Sequence, residues 1–287
     1  MFRPHLIFLF ILVYAFIPLQ AVKHASSPQR GIHYIDRDGD GYGVASPRGA
    51  DADDTDPTIN TPETVKARYK DIRDLLHKRG YVAKRILYIA PDGSDRMGVS
   101  DNPDKPFASF AGVYKNLRPG DAVLFRTGVY RGKYPLGLSK RYGAAEQEIL
   151  IAAYPGQRAV IDSPVATINM DNCEHIIFDG LILTNTDSTL GKGIGMKFCR
   201  NILLRNIEST RHYWGWIGMQ DLKHITAESC VFHNNPHEHG IYLGARDKPN
   251  AHIAIRDCLI YRNGWNGFQH NGRVTNLRLE NNIIHTN

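Results

Sequence analysis

The sequence predicts an all-β fold, a right-handed parallel β-helix that begins near residue 84 and runs to residue 287. Three observations carry the expectation. First, the second half repeats itself: CEHIIFDGLILTNT (173–186), CRNILLRNIESTRH (199–212), LKHITAESCVFHNN (222–235), NAHIAIRDCLIYRN (250–263) and VTNLRLENNIIHTN (274–287) start 26, 23, 28 and 24 residues apart. Second, apolar residues alternate within each segment, the period of a strand with one buried face. Third, a shorter strand follows each of the first four: GIGM (193–196), WIGM (216–219), GIYL (240–243) and GFQH (267–270). One repeat thus supplies about three strands, a coil that stacks about 4.8 Å above the last. Leucine-rich repeats share the period, but their LxxLxLxxN pattern is not in these segments. The 287 residues, 42% hydrophobic and 22% charged, exclude collagen-like, low-complexity and multi-span membrane classes. Twenty-six Gly and 15 Pro beside 14 Tyr and 11 Phe fit strands broken by many turns.

Ahead of the coils, residues 1–21 read as a signal peptide. The apolar run LIFLFILVYAFI (6–17) is closed by Pro18, too short to span a bilayer comfortably but suited to a secretory h-region, with cleavage after Ala21. An uncleaved anchor is the alternative. Either way the expected location is secreted, extracellular or at the cell surface, without stable membrane insertion of the mature chain.

The segment 31–60 is acidic. Residues 36–56 hold seven Asp against two Arg, whereas 57–287 hold 30 Lys/Arg against 22 Asp/Glu, so the net charge of +6 conceals an acidic island and a basic body. Asp36, Asp38 and Asp40 alternate before Gly41, an arrangement that supplies hard oxygens to Ca²⁺, with the Tyr42 carbonyl as a further ligand. Pro47 stands where an EF-hand would place its bidentate Glu, so the remaining ligands are expected from Asp51, Asp53, Asp54 and Asp56. The pair DxDxDGxG and DxDDxDP resembles the thrombospondin type 3-like calcium segment of secreted proteins, although Ala52 stands where that motif often carries Cys. Calcium is expected to be structural here.

Residues 61–80 predict an amphipathic helical connector. Thr61 is its N-cap, Pro62 its first residue, Val65, Tyr69, Ile72, Leu75 and Leu76 its apolar face, and Gly80 its stop. Within the coils, His175, Asn201, His224, His252 and Asn276 share one position and read as a polar ladder at a turn, structural rather than catalytic. Asn235, Asn263 and Asn287 form a second ladder. Cys173 stacks over Cys199 and Cys230 over Cys258; parallel side chains do not face each other, so these are expected to be free, buried thiols.

ILYIAPDGSD, DKPFASFAGVYKNL and PGDAVLFRTGVYRG, all within 86–132, followed by ILIAAYPGQRAVID (149–162), resemble the opening coils of secreted pectate-lyase-like and chondroitinase-B-like β-helix proteins. The resemblance spans about 86–287. It implies that Phe107–Leu117 is a capping helix over the N-terminal end of the solenoid, with Phe110, Val113, Tyr114 and Leu117 inward. It is weaker for activity, because this superfamily hosts lyases, hydrolases, epimerases and adhesins. The last repeat ends at Asn287 without a capping element, so the chain is expected to be a fragment of a longer protein.

The outer face of the second strand is the expected site. Gly195, Gly218 and Gly244 would leave a shallow floor, with Lys197, Gln220, Tyr242, Gln269 and Asn271 pointing outward and His237, His239, Arg246 and Arg273 beside it. Polysaccharide lyases neutralise a uronate carboxylate with cations and remove the adjacent proton with Lys, His or Tyr. Lys197, His237, His239, Tyr242 and Arg246 are therefore the candidate catalytic residues, and Gln220, Gln269, Asn271 and Arg273 the candidate substrate contacts. The expected function is β-elimination on an acidic, uronate-containing polysaccharide by a monomer. The alternatives are a non-catalytic carbohydrate-binding protein and a polygalacturonase-like hydrolase, for which Asp187 and Asp221 stand without the paired Asp such catalysis uses. Trp214, Trp216 and Trp265 are expected to stack between coils rather than on sugar. Nucleic acid is an unsuitable partner, since the basic residues are scattered and the chain is exported.

Overall fold

The computed structural model describes residues 24–26, 33–187 and 190–287; the signal peptide expected over 1–21 lies outside them. A short antiparallel pair, β1 (His24–Ser26) and β2 (His33–Ile35), comes first, then the acidic segment. The connector follows as two helices, α1 (Pro62–Arg68) and α2 (Ile72–Lys78). Thr61 caps α1 and Pro62 opens it, as the sequence predicts, but the single helix expected over 61–80 is divided. Tyr69 leaves helical geometry at φ −118° and ψ 123°. Asp71 then captures the Arg73 N–H as a fresh N-cap at 2.9 Å.

The rest winds as a parallel solenoid of about six turns. The opening elements are β3 (Arg85–Ile89), α3 (Phe110–Tyr114), β4 (Asp121–Phe125), β5 (Gly128–Arg131) and β6 (Leu136–Ser139). Next come β7 (Ile149–Ala153), β8 (Ala159–Asp162) and β9 (Ala166–Asp171), then β10 (Glu174–Asp179), β11 (Ile182–Thr184) and β12 (Lys192–Lys197). They are followed by β13 (Arg200–Arg205), β14 (Glu208–Thr210) and β15 (Trp214–Gly218), then β16 (Lys223–Glu228) and β17 (Val231–His233). The final elements are β18 (Ile241–Arg256), β19 (Leu259–Tyr261), β20 (Phe268–Glu280) and β21 (Ile283–His285).

Three faces result. The first stacks β3-β4-β7-β10-β13-β16-β18, the second β5-β8-β11-β14-β17-β19-β21, and the third β6-β9-β12-β15-β18. β18 and β20 run from the third face into the next first face, so each serves both, with a register irregularity between Ala245 and Asn250. The pairing fixes inward columns such as Leu87, Val123, Ile151, Phe178, Leu204, Ala227 and Ile255, all buried in one core. α3 is shorter than the expected helix; it buries Phe110 and Val113 in that core and packs Tyr114 and Leu117 against it.

The ladders lie at the corners. His175, Asn201, His224, His252 and Asn276 all have φ of 52–56°, a left-handed geometry that short polar side chains tolerate best. They touch in pairs: Asn201 Nδ2 lies 3.2 Å from His175 Nε2, the His224 and His252 rings stack at 4.5 Å, and Asn276 Nδ2 lies 3.2 Å from His252 Nδ1. At the opposite end of the second face, Asn235 Nδ2 donates to Asn263 Oδ1 and Asn263 Nδ2 to Asn287 Oδ1, both at 2.8 Å. The four cysteines are buried free thiols.

The acidic segment and its two helices pack against the outside of the solenoid. A second core joins Ala52, Ile59, Val65, Ile72, Leu75 and Leu76 to the outward residues Ile86, Tyr88, Leu124, Leu150 and Ile177 of the first face. Ala52 is fully buried there, which gives an apolar role to the position where a Cys was expected by resemblance. Ile35 buries against Val231, Leu259 and Tyr261 of the second face.

One polar knot locks this clasp. Asp179, at the end of β10, accepts from Arg79 at 2.8 Å, Arg205 at 3.0 Å, Tyr81 Oη at 3.0 Å and Asn206 Nδ2 at 2.9 Å. Burial alone would raise its carboxyl, but the Arg205 and Arg79 guanidiniums outweigh that and hold it at about 2. Relative to an unfolded value near 3.9, the stabilisation is complete above about pH 4 and lost as pH falls through about 2.

Two stability changes follow, measurable by urea unfolding. Asp179→Ala leaves two guanidiniums uncompensated and should cost about 3–5 kcal/mol at neutral pH. Asn263→Ala orphans buried Asn235 and the Phe232 carbonyl on the preceding coil and should cost about 1–3 kcal/mol, whereas the exposed Lys115→Ala should stay within about 0.5 kcal/mol.

Candidate functional site on the third face and the acidic clasp

Register decides which outward side chains meet on the third face. Gly137, Asn169, Gly195, Ile217, Tyr242 and Gln269 form one outward column. The next outward column contains Ser139, Asp171 and Lys197, and farther along it Gly244 and Asn271. The expected glycine floor needs one correction. Gly218 pairs with the inward Met196 and Leu243, and a Cβ there would stand 2.7 Å from Leu222 Cδ1. Trp216 fills the core beside Phe232, so its neighbour Ile217 takes the outward place. Gln220 is consequently displaced from the column to the corner, where its carbonyl accepts from the Phe198 N–H at 2.9 Å.

The expected catalytic residues divide between the two edges of this face. At the exit, Lys197 Nζ pairs with Asp171 Oδ2 at 3.0 Å and lies 5.8 Å from the centre of the Phe198 ring. Lys248 Nζ lies at the same distance from that ring. Asp221, 8% exposed, gathers Arg200 at 3.3 Å, Lys223 at 3.4 Å and Lys248 at 3.9 Å. Exposed Arg246 and Arg273 stand at this corner, where β18 and β20 pass from the third face to the first. Cations therefore outnumber acids here: Lys197, Arg200, Lys223, Arg246, Lys248 and Arg273 against Asp171, Glu174, Asp221 and Asp247. The contributions of Arg200 and Lys223 were missed from sequence because both sit on the first face; their signal was a basic residue one place after Cys199 and Leu222.

The entry edge is aromatic. His237 is exposed and stacks on Tyr213 at 5.4 Å, and Tyr213 packs edge-on to Trp214 at 4.4 Å. His239 is only 2% exposed and stacks on Tyr242 at 5.5 Å, with exposed Trp265 edge-on at 5.7 Å. Its Nδ1 accepts from the Asn266 N–H at 3.2 Å, leaving Nε2 to face Glu238 Oε2 at 3.3 Å. Burial lowers its affinity for a second proton. Both nitrogens are engaged, so His239 orients its neighbours, while Gln269 is held by Asn266 at 2.8 Å and Asn271 is exposed.

The acidic segment forms a separate constellation. Asp36 folds the loop by accepting from Gly39 and Gly41 N–H at 2.6 and 3.0 Å; Asp40 accepts from the Tyr42 N–H at 2.8 Å and from Asn60 at 3.0 Å. Ligand oxygens of Asp36, Asp38 and Asp40 lie within 4.8 Å of one another, as do those of Asp38, Asp51 and Asp54. Asp38 Oδ2, Asp51 Oδ2 and Asp54 Oδ2 are buried without a hydrogen-bond partner. Burial first, then neighbouring carboxylates, push Asp51 up to about 8 and Asp54 to about 7. Three orphaned oxygens converging in one place fit a hard divalent cation. Asp53 and Asp56 instead face Lys78, at 2.7 and 3.6 Å.

The family description "Right handed beta helix region" matches residues 159–287. No curated protein matches the chain. Among solved structures, pectate lyase Pel9A superposes with a TM-score of 0.50 at 20% identity, over 70% of this chain and 63% of that one. A rhamnogalacturonan lyase superposes at 0.47 and 16% identity, over 68% and 62% respectively. An alginate lyase from Paenibacillus sp. str. FPU-7 superposes at 0.44 and 16% identity, over 59% and 71%. The chain thus spans less than two thirds of the pectate lyase it resembles. At such identity the likeness speaks for architecture alone, and the architecture is the right-handed parallel β-helix.

Proposed function

We propose that the protein is an extracellular β-helix protein that binds an acidic, uronate-containing polysaccharide along its third face and cleaves it by β-elimination. The observation that carries this reading is the excess of cations at the exit edge, six basic side chains around four acidic ones, beside an outward strip with small residues at Gly195 and Gly244. Lys197, Arg246 and Lys248 would hold the substrate carboxylate and stabilise the charge that develops when its α-proton leaves. Tyr242, on the outward column two places before Gly244 and so beside these cations, is the proposed base, while His237, exposed at the far edge, would contact the polymer beyond the reacting residue. The same phenol would then pass that proton to the departing glycosidic oxygen. Proton removal and departure of that β-oxygen create a carbon–carbon double bond conjugated with the carboxylate, and no water is added. Gln220, Gln269, Asn271 and Arg273 would flank the bound chain.

Incubation with pectate or alginate should therefore yield an unsaturated product detected by ultraviolet absorbance. Tyr242→Phe should lower the rate about 10²- to 10⁴-fold, whereas His237→Ala should raise KM more than it lowers kcat. New reducing ends without unsaturation would favour the hydrolase alternative. A second reading, glycan binding without cleavage, is favoured by the engagement of both His239 nitrogens; retained binding with no product in the parent protein would select it.

The orphaned oxygens support Ca²⁺ as the structural cation, held by Asp38, Asp51 and Asp54 with Asp36 and Asp40 completing the loop. Because a cation that binds only the folded clasp stabilises it by mass action, calcium at about 100 times its dissociation constant should add about 2.7 kcal/mol. That corresponds to roughly 5–10 °C in Tm. A chelator should reverse the gain, and Asp51→Asn with Asp54→Asn should abolish it; an unchanged Tm with calcium in the parent would reject the site. Among the described residues no helix is long and apolar enough to cross a membrane. Export rests on the apolar leader at 6–17.

A further inference from the structure

A groove of about 550 Å³ opens between the clasp and the second face, on a different side of the solenoid from the third-face strip. One wall is the turn Ala45–Gly49. The other carries Arg158, Glu208, His233, Asn234, Tyr261 and Arg262. The turn is rigidly built. Ser46 is 2% exposed, and its hydroxyl donates to the Gly41 carbonyl at 2.6 Å and accepts from the Arg48 N–H at 3.1 Å. Arg48 spends one guanidinium nitrogen on the Asp40 carbonyl at 2.7 Å. The wall is pinned to the coils by Ile35 in its pocket and by Tyr261 Oη donating to the His33 carbonyl at 3.3 Å.

The charges in this groove do not balance. Glu208 is its one carboxylate, and Glu208 Oε1 lies 3.1 Å from His233 Nε2. The Asn234 amide lies 2.9 Å from His233 Nδ1, so that imidazole is fixed at both nitrogens. Three arginines, Arg48, Arg158 and Arg262, face the same space. Among the described residues, the guanidiniums of Arg158 and Arg262 take part in no ion pair or hydrogen bond. Three planar forks on a polar groove whose one lining carboxylate is already paired match an oxyanion on a polar ligand. Guanidinium binds carboxylate or sulfate through two parallel hydrogen bonds. Exposed Asn234 adds a neutral polar atom, and the volume lies in the range of small-ligand sites.

We infer that this groove is a second binding site, for an oxyanion-bearing oligosaccharide, carboxylated or sulfated, that is held and not transformed. It stands independently of any chemistry on the third face. Its test is calorimetric titration of the full chain, in calcium, with four probes: a galacturonate tetrasaccharide, a carrageenan tetrasaccharide that carries sulfate but no carboxylate, a neutral cello-tetrasaccharide and inorganic sulfate. At least one acidic tetrasaccharide should bind, and its affinity should fall with salt. Arg158→Ala with Arg262→Ala should weaken that phase at least about tenfold, with Tm unchanged because both side chains lack protein partners. The double Lys variant should recover only part of the loss, since it restores charge without the fork. A separate Lys197→Ala, Lys248→Ala variant should leave this phase intact. The acidic probe that loses more affinity identifies carboxylate or sulfate as the recognised group. Unchanged binding of every acidic probe in the Arg158, Arg262 double variant overturns the inference. So does equal binding of the neutral tetrasaccharide, or of inorganic sulfate alone.

Discussion

The solenoid depends on corners that turn left-handed without strain. Parallel strands have no partner within their own coil, so their amides must meet the coil above and the coil below. A corner that drifted by one residue would break that register for everything stacked on it. An ordinary residue in left-handed geometry costs roughly 1–2 kcal/mol, and Asn, Asp and His bear it better. Most corner positions use such residues: Asn172, Asn206, Asp221, Asn234, Asp257 and Asn281 join the His/Asn ladder with φ near +50°. Phe198 and Arg211 occupy equivalent geometry, which shows stacking overriding local preference.

The acidic segment gains its meaning from the same surface. An isolated run of seven Asp would repel itself; here Ala52 and Ile35 anchor the segment in apolar pockets, and Lys78 takes Asp53 and Asp56. The carboxylates left over, Asp38, Asp51 and Asp54, face one another, each with a buried oxygen that accepts no hydrogen bond, although Arg37 stands 3.9 Å from that of Asp54. Their mutual repulsion and burial are costs that a divalent cation would offset. Asp179, deep between Arg79 and Arg205, plays the complementary part by tying the connector to the first face. Clasp and coil therefore meet through one buried anion with two cations, and through two apolar patches.

The repeat spacing and alternation were enough to read the coils, both polar ladders and the free thiols, because each is a local pattern copied every 23 to 28 residues. Errors arose where the copy was inexact. WIGM at 216–219 resembles GIGM at 193–196, yet Trp216 and not Ile217 pairs with Ile194, so outward and inward exchange at that coil. Asp71 has the properties of a cap, but the apolar stripe on both sides hid the break between α1 and α2. Partners about 100 residues apart, such as Arg79 and Asp179, leave no periodic trace. The candidate site was legible by residue type but not by edge: Lys197 and Arg246 lie where the chain leaves the third face, and His237 and His239 where it enters.

Cleavage of a uronate polymer in heavy-oxygen water tests the chemistry of the third face most directly. Elimination breaks the glycosidic bond without adding water. Mass spectrometry should then find products one water lighter than hydrolytic fragments, with label entering their new reducing ends only as slowly as a free sugar exchanges its anomeric oxygen. Fragments of full hydrolytic mass would contradict it, because only attack by water adds the elements of water across the cleaved bond.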